Sequence, residues 1–152
     1  MTAERRGVPR AAWLLLPVAA IGAVVSYDAL TQSDEERVRG LLDAMEQGEV
    51  DAAWIERLLR WVEPAVVPLE ARWQGEQRFF DGTNAAELAP LARRVLGRYR
   101  GQRLRALRER IEVDGSSARL WAQLLTPDGI VELTVDLERV DDRWLVTRAV
   151  VH

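Results

Sequence analysis

The chain has no cysteine, no lysine and a single histidine, His152, at its C-terminal end. Without cysteine there are no disulfides, thiol nucleophiles, thiolate metal sites or cysteine-linked lipids. All 21 basic residues are arginines. Arginine does not deprotonate in a protein, so lysine-type Schiff-base chemistry is excluded. One terminal imidazole removes the commonest general base and metal ligand from the body of the chain. No glycine-rich phosphate loop, histidine-rich metal spacing or nucleophile motif is present. Any acid–base chemistry therefore falls to Asp, Glu and Tyr, and neither a cofactor nor a metal is expected.

What is present fits one folded domain. The chain has 152 residues, 48% hydrophobic and 30% charged, enough to bury a core and too polar for a multi-span membrane protein. The charges are segregated. Residues 28–92 carry six arginines against fourteen acids, whereas residues 93–110, RRVLGRYRGQRLRALRER, carry eight arginines against Glu109 alone.

Residues 1–10 read as a basic cytoplasmic tail. Residues 11–27 read as a transmembrane signal anchor, residues 28–32 as a linker and residues 33–152 as the folded domain. From Ala11 to Val25 there is no charge, and Asp28, Asp34, Glu35 and Glu36 follow on the far side. A basic flank before an apolar run and an acidic exit place the C-terminal domain outside the cytoplasm, in the periplasm or at the cell surface. The run is short for a span and also within the range of a cleaved signal peptide, which would give a secreted protein. The membrane, through residues 11–27, is thus an expected partner.

Within the domain, Ser33 and Glu36 have capping-box spacing, and Val38, Leu41, Leu42 and Met45 form one helical stripe. A second helix is expected in EVDAAWIERLLRWVEP, with Val50, Trp54, Leu58, Trp61 and Val62 on one side, stopped by Pro64 at about Glu63. The segment around WQGEQ reads as a turn between two short extended pieces. A third helix follows Asn84, with Pro90 marking a kink or a later start. From Gln102 the hydrophobic period becomes two, and four strand-like runs are separated by short turns. Val131, Leu133, Val135 and Leu137 alternate with Glu132, Thr134, Asp136 and Glu138, so one sheet face is dry and must be covered by helices. The expected class is α+β: three helices packed on a curved antiparallel sheet.

Four stretches in this order, GEVDAAWIERLL, RFFDGTNAAELAPL, IEVDGSSARLWAQL and VDLERVDDRWLVTRAVV, resemble the nuclear transport factor 2-like, or SnoaL-like, superfamily. The resemblance spans about residues 33–151, with Asp142 where a turn glycine is common. It implies a cone of helices on a curved sheet. It also implies a wide choice of functions, from isomerases and dehydratases to binders and secretion-system components, so fold alone does not decide activity.

An enzyme or small-molecule binder of that superfamily would use the cone as its pocket. Trp54, Trp61, Tyr99, Trp121 and Trp144 are the pocket candidates, with core packing as the competing reading. Asp136 and Glu132, two steps apart on one strand, could act as a carboxylate pair or simply form its wet side. No catalytic residue is assigned. Arg93, Arg94, Arg98, Arg103 and Arg105 are the candidates for a partner or an anionic surface. Nucleic acid is not expected, because the basic stretch lies in an acidic domain and Tyr99 is its lone aromatic. The expected function is a membrane-anchored, extracytoplasmic interaction domain without catalytic activity, with a homodimer or another membrane-associated protein as partner. The alternative is a small-molecule binder or a carboxylate-based isomerase or dehydratase.

Overall fold

The computed structural model describes residues 33–152. The expected tail, membrane segment and linker lie outside the described residues. Helix α1, Asp34–Glu46, opens on Asp34, Glu35 and Glu36, where the helix dipole favours acids. Its stripe is buried at Val38, Leu41 and Leu42. Helix α2, Ala52–Leu59, is capped by the Asp51 carboxylate, which accepts from the Trp54 amide at 2.7 Å. We expect Asp51→Ala to cost about 1 kcal/mol of stability, read as a lower urea midpoint at constant slope.

Helix α2 stops four residues short of the position expected from Pro64. Beyond it the Trp61 and Val62 amides bond the carbonyls three residues back, Leu58 and Leu59, so the chain tightens out of the α-helix, and the Trp61 carbonyl accepts from the Val146 amide at 2.8 Å. The third helix begins with a 3-10 turn, Ala85–Glu87, and continues as α3, Leu88–Leu96. Pro90 is its third residue, where a missing amide hydrogen forfeits no helical bond. Asn84 does not cap this helix. Its side chain accepts from the Asp81 amide and donates to the Phe79 carbonyl, fixing the preceding turn. The Asp81 carboxylate accepts from the Thr83 hydroxyl and amide, which holds its pKa below the ordinary value. This turn is therefore stabilised above the ordinary carboxylate value and loosens as pH falls through the depressed one. An NMR titration should show the Thr83 amide shifting only at that lower pH.

Six strands form one sheet in the order β2-β1-β6-β5-β4-β3. They are β1 Leu69–Trp73, β2 Glu76–Phe80, β3 Arg105–Asp114, β4 Ser117–Thr126, β5 Gly129–Val140 and β6 Arg143–Val151. Strands β3 to β6 form the expected antiparallel meander. The sheet is not wholly antiparallel, because β1 joins β6 in parallel. Alternation in a sequence reports which face of a strand is dry, and leaves its neighbour open.

The helices cover one face. Ala118, Leu120, Ala122 and Leu124 of β4 meet Leu133, Val135 and Leu137 of β5 and Val146 of β6, all buried with Val38, Leu41 and Leu42 of α1. A second cluster, Val50, Trp54, Ile55 and Leu104, lies where α2 meets the start of the sheet. The loops there are tied by two backbone bonds, Val50 amide to Gln102 carbonyl at 2.8 Å and Gly101 amide to Val50 carbonyl at 2.9 Å. Gly101 sits at φ +76 with nothing near its missing Cβ. Gly101→Ala should therefore cost about 1 kcal/mol through backbone strain alone. Among the described residues, no helix is long and apolar enough to cross a membrane.

Candidate functional site

The sheet has two faces on which a function could be built. The helix-facing side is the interior of the cone. Leu42, Leu120 and Val135 occupy it, each at most 2% exposed, together with Trp144 at 4%. Among the described residues, Thr126 is the one buried polar residue, and its hydroxyl donates to the Gly129 carbonyl at 2.8 Å. Among the described residues no carboxylate is buried there.

The five aromatic pocket candidates do not line one cavity. Trp61 and Trp144 pack in the main core. Trp54 and Tyr99 belong to the second cluster. The Trp54 indole donates to the Met45 carbonyl at 2.9 Å, and the Tyr99 hydroxyl accepts from Arg98 at 2.7 Å. Trp121 lies on the opposite face of the sheet from Leu120 and Ala122. There it lines an open depression of about 400 Å³ with Arg110, Glu112 and Arg119.

That opposite face is open over β3 and β4, whereas Leu145 and Val150 of β6, which register places on it beside Glu138 and Thr134, are buried. Its residues form rows that run across the strands. Arg105, Leu125 and Ile130 stand opposite one another on β3, β4 and β5, followed by Arg108, Gln123 and Glu132, then by Arg110, Trp121 and Thr134. The next row crosses five strands with alternating sign: Glu112, Arg119, Asp136, Arg148 and Glu70. The last is Asp114, Ser117 and Glu138.

The alternating row is a charge ladder. Arg119 Nε lies 2.6 Å from Asp136 Oδ1, Arg148 lies 3.9 Å from Asp136 and 3.7 Å from Glu70, and Arg110 lies 2.7 Å from Glu112. The hydrogen bond from Arg119 to Asp136, and then the charge of that carboxylate, raise the Arg119 pKa above its ordinary value. Asp136 is thus engaged by two guanidinium groups, and Glu132 accepts from Gln123 at 3.1 Å. Sequence reading did not find this ladder. Its members lie on five strands, and register alone brings them together. The signal within reach was weaker: each member sits at a polar position of an alternating strand.

The basic stretch resolves residue by residue. Arg93 pairs with Glu56 at 2.5 Å, and Arg103 approaches Glu49 at 3.8 Å. Arg98 stacks on the Tyr99 ring at 4.8 Å. Among the described residues, Arg94, Arg100, Arg105 and Arg108 have no acidic neighbour within ion-pair distance. The faces also differ from those implied by strict alternation. A β-bulge between Ala106 and Arg108 inserts Leu107, so Arg105, Arg108 and Arg110 all stand opposite odd-numbered β4 residues on the open face. Alternation would have put Arg105 opposite to Arg108 and Arg110. The bulge also blunts this edge strand, as does the Glu46 carboxylate, which accepts from the Ala106 amide at 2.7 Å.

A smaller cavity of about 200 Å³ lies between α2 and α3, lined by Val50, Ile55, Arg93 and Arg100 among others. Asp51 also lines it. Among the described residues, no cluster of His, Asp or Glu is placed to hold a metal.

No family model matches the sequence, and no curated protein matches it. Solved structures do resemble the fold. A cystatin-like protein of unknown function from Nostoc punctiforme PCC 73102 is 14% identical with a TM-score of 0.58, over 78% of this chain and 89% of that one. A nuclear transport factor 2-like protein of unknown function from Pseudomonas putida KT2440 is 15% identical with a TM-score of 0.58, over 77% and 84%. A proposed ketosteroid isomerase from Shewanella frigidimarina NCIMB 400 is 13% identical with a TM-score of 0.58, over 80% and 97%. The order of helices and strands, the six-stranded sheet and these likenesses agree: the described domain has the nuclear transport factor 2-like fold.

Proposed function

We propose that this chain is a membrane-anchored interaction domain without catalytic activity, held by residues 11–27 with its folded part outside the cytoplasm. The observation that carries the non-catalytic half is the filled interior. The helix-facing side of the sheet is packed with Leu, Val and Trp, and it buries no carboxylate to act as a base. An isomerase on this scaffold, as proposed for the Shewanella frigidimarina protein, would need such a group beside an open pocket. Unpaired charged side chains do stand on the open face, at Arg105, Arg108, Asp114 and Glu138.

The anchoring half rests on the sequence: three arginines in residues 1–10, no charge from Ala11 to Val25, and acids from Asp28 onward. Fractionation of cells expressing the full chain tests it. The chain should stay in the membrane pellet after alkaline extraction, and the domain should be digested by protease added to cells with an opened envelope. A soluble product whose N-terminus lies near Tyr27 would show cleavage and secretion instead.

A further inference from the structure

We propose that the free edge of β2 binds an extended segment of a partner protein, one in which glutamates alternate with apolar residues. The proposal rests on reading the chain as an interaction domain, and it names the surface and the chemistry of the partner. The observation behind it is a contrast between the two edges of the sheet. An edge strand offers unpaired backbone groups to any passing strand, and folded proteins blunt such edges. The β3 edge is blunted by its bulge and by the Glu46 carboxylate on the Ala106 amide. Strand β2, at the other edge, keeps an unbroken register with β1 and contains neither bulge nor proline. Among the described residues no strand pairs with its outer side. Glu76, Gln77, Arg78 and Phe79 are all exposed.

The register shows which backbone groups are on offer. Gln74 and Gly75 have φ of +48 and +80 and form a two-residue turn that closes on Trp73 and Glu76. Bonded pairs alternate along an antiparallel ladder, so Glu76, Arg78 and Phe80 bond to β1. Gln77 and Phe79 therefore turn their amides and carbonyls outward. The Phe79 carbonyl already accepts from the Asn84 side chain at 3.0 Å. The Gln77 amide, the Gln77 carbonyl and the Phe79 amide are left, and main-chain bonds of this kind hold an added strand.

The side chains beside the edge set the partner's sequence. On the helix-facing side lies an open depression of about 380 Å³. Phe80, Pro90 and Leu91 line it, with Arg78, Arg94 and Glu87 as its charged members. Among the described residues Arg94 has no ion-pair partner, and Arg78 meets only Glu76, at 4.0 Å with both side chains exposed. The depression is thus apolar and net positive. A glutamate suits both properties, because its methylenes can cover the apolar lining while its carboxylate reaches the guanidinium groups. On the other side of the strand, Phe79 is 57% exposed and is matched by an apolar neighbour. Successive residues of a strand point to these two sides in turn, so the matching segment alternates glutamate with an apolar residue. A segment bearing lysine would set like charges beside Arg78 and Arg94.

The test titrates the full chain in bilayer discs with the peptide acetyl-Val-Glu-Val-Glu-Val-amide, read by calorimetry. Wild type should bind it one to one, and empty discs should not bind it. The same peptide with lysine in place of both glutamates should bind at least about tenfold more weakly. Gln77→Pro removes an amide that points away from β1, so the hairpin survives while the edge is closed. It should weaken binding at least about tenfold with circular dichroism unchanged. Arg78→Glu with Arg94→Glu should reverse the preference in favour of the lysine peptide, and this variant carries the test independently of the proline. No saturable binding by wild type, equal affinity for the two peptides, a preference that the arginine reversal leaves unmoved, or full binding by folded Gln77→Pro would overturn the proposal. So would self-association of wild type that Gln77→Pro abolishes, since the occupant would then be a second copy. Anchoring is read by fractionation and the filled cone by ligand uptake, so each of those readings fails separately from this one.

Discussion

Replacing Trp54 with alanine should leave the domain largely unfolded at moderate urea concentrations. Trp54 is 1% exposed and is among the largest fully buried side chains. It anchors the second cluster with Val50, Ile55 and Leu104. Truncating a buried aromatic costs about 3–5 kcal/mol. The Met45 carbonyl, which accepts from the indole at 2.9 Å, also loses its donor, a further cost of about 1 kcal/mol. Against a typical domain stability of about 5–15 kcal/mol, this is a large share. Trp54→Phe separates the two contributions, because it keeps most of the ring and loses the hydrogen bond. Urea titrations followed by circular dichroism should rank wild type first, then Phe, then Ala. An Ala variant within about 1 kcal/mol of wild type would mean that the second cluster is not a structural core.

Leu120→Ala has the second large effect, and it reaches further than stability. Leu120 is fully buried at the centre of β4, opposite Val135 on β5 and Ile111 on β3. Its removal should cost about 2–5 kcal/mol, the spread depending on how far the neighbours collapse into the space. The void would be lined by Val, Leu and Ala, and voids of that kind stay dry and accept small apolar molecules. Saturating benzene should therefore raise the melting temperature of Leu120→Ala and leave that of wild type unchanged. The contrast separates a filled interior from a ligand pocket: a wild-type protein stabilised by benzene would have its cavity already.

Much of this fold is legible in the sequence because it depends on local patterns. The Val38, Leu41 and Leu42 stripe marks α1, and Val131 to Leu137 marks the dry face of β5. Both follow from periodicity, since burial acts on every third or fourth residue of a helix and every second residue of a strand. The end of α2 was not legible, because the amides of Trp61 and Val62 turn to i−3 carbonyls before Pro64 is reached, where the Trp61 carbonyl also meets the Val146 amide of the sheet. The parallel placement of β1 beside β6 was hidden for the same reason. So was the face of Arg105 relative to Arg108, since one bulge residue, Leu107, reverses the phase of everything before it. The charge ladder required all of these registers at once. Residue types show which side chains could pair, and topology decides which ones meet.

Function was less legible than fold, because the chemistry most easily recognised in a sequence is absent from this one. With no cysteine, no lysine and one terminal histidine, what remains is arranged by the sheet and not by a motif. The central claim is that the cone interior is filled and the binding surface lies elsewhere. It is tested most directly by titrating the full chain in detergent-free bilayer discs with 1-anilinonaphthalene-8-sulfonate, following energy transfer from the buried tryptophans. Empty discs provide the baseline. The account predicts no saturable transfer from wild type, and saturable transfer from Leu120→Ala. Saturable one-to-one binding by wild type, abolished by enlarging Ala122 to Phe inside the cone, would contradict it.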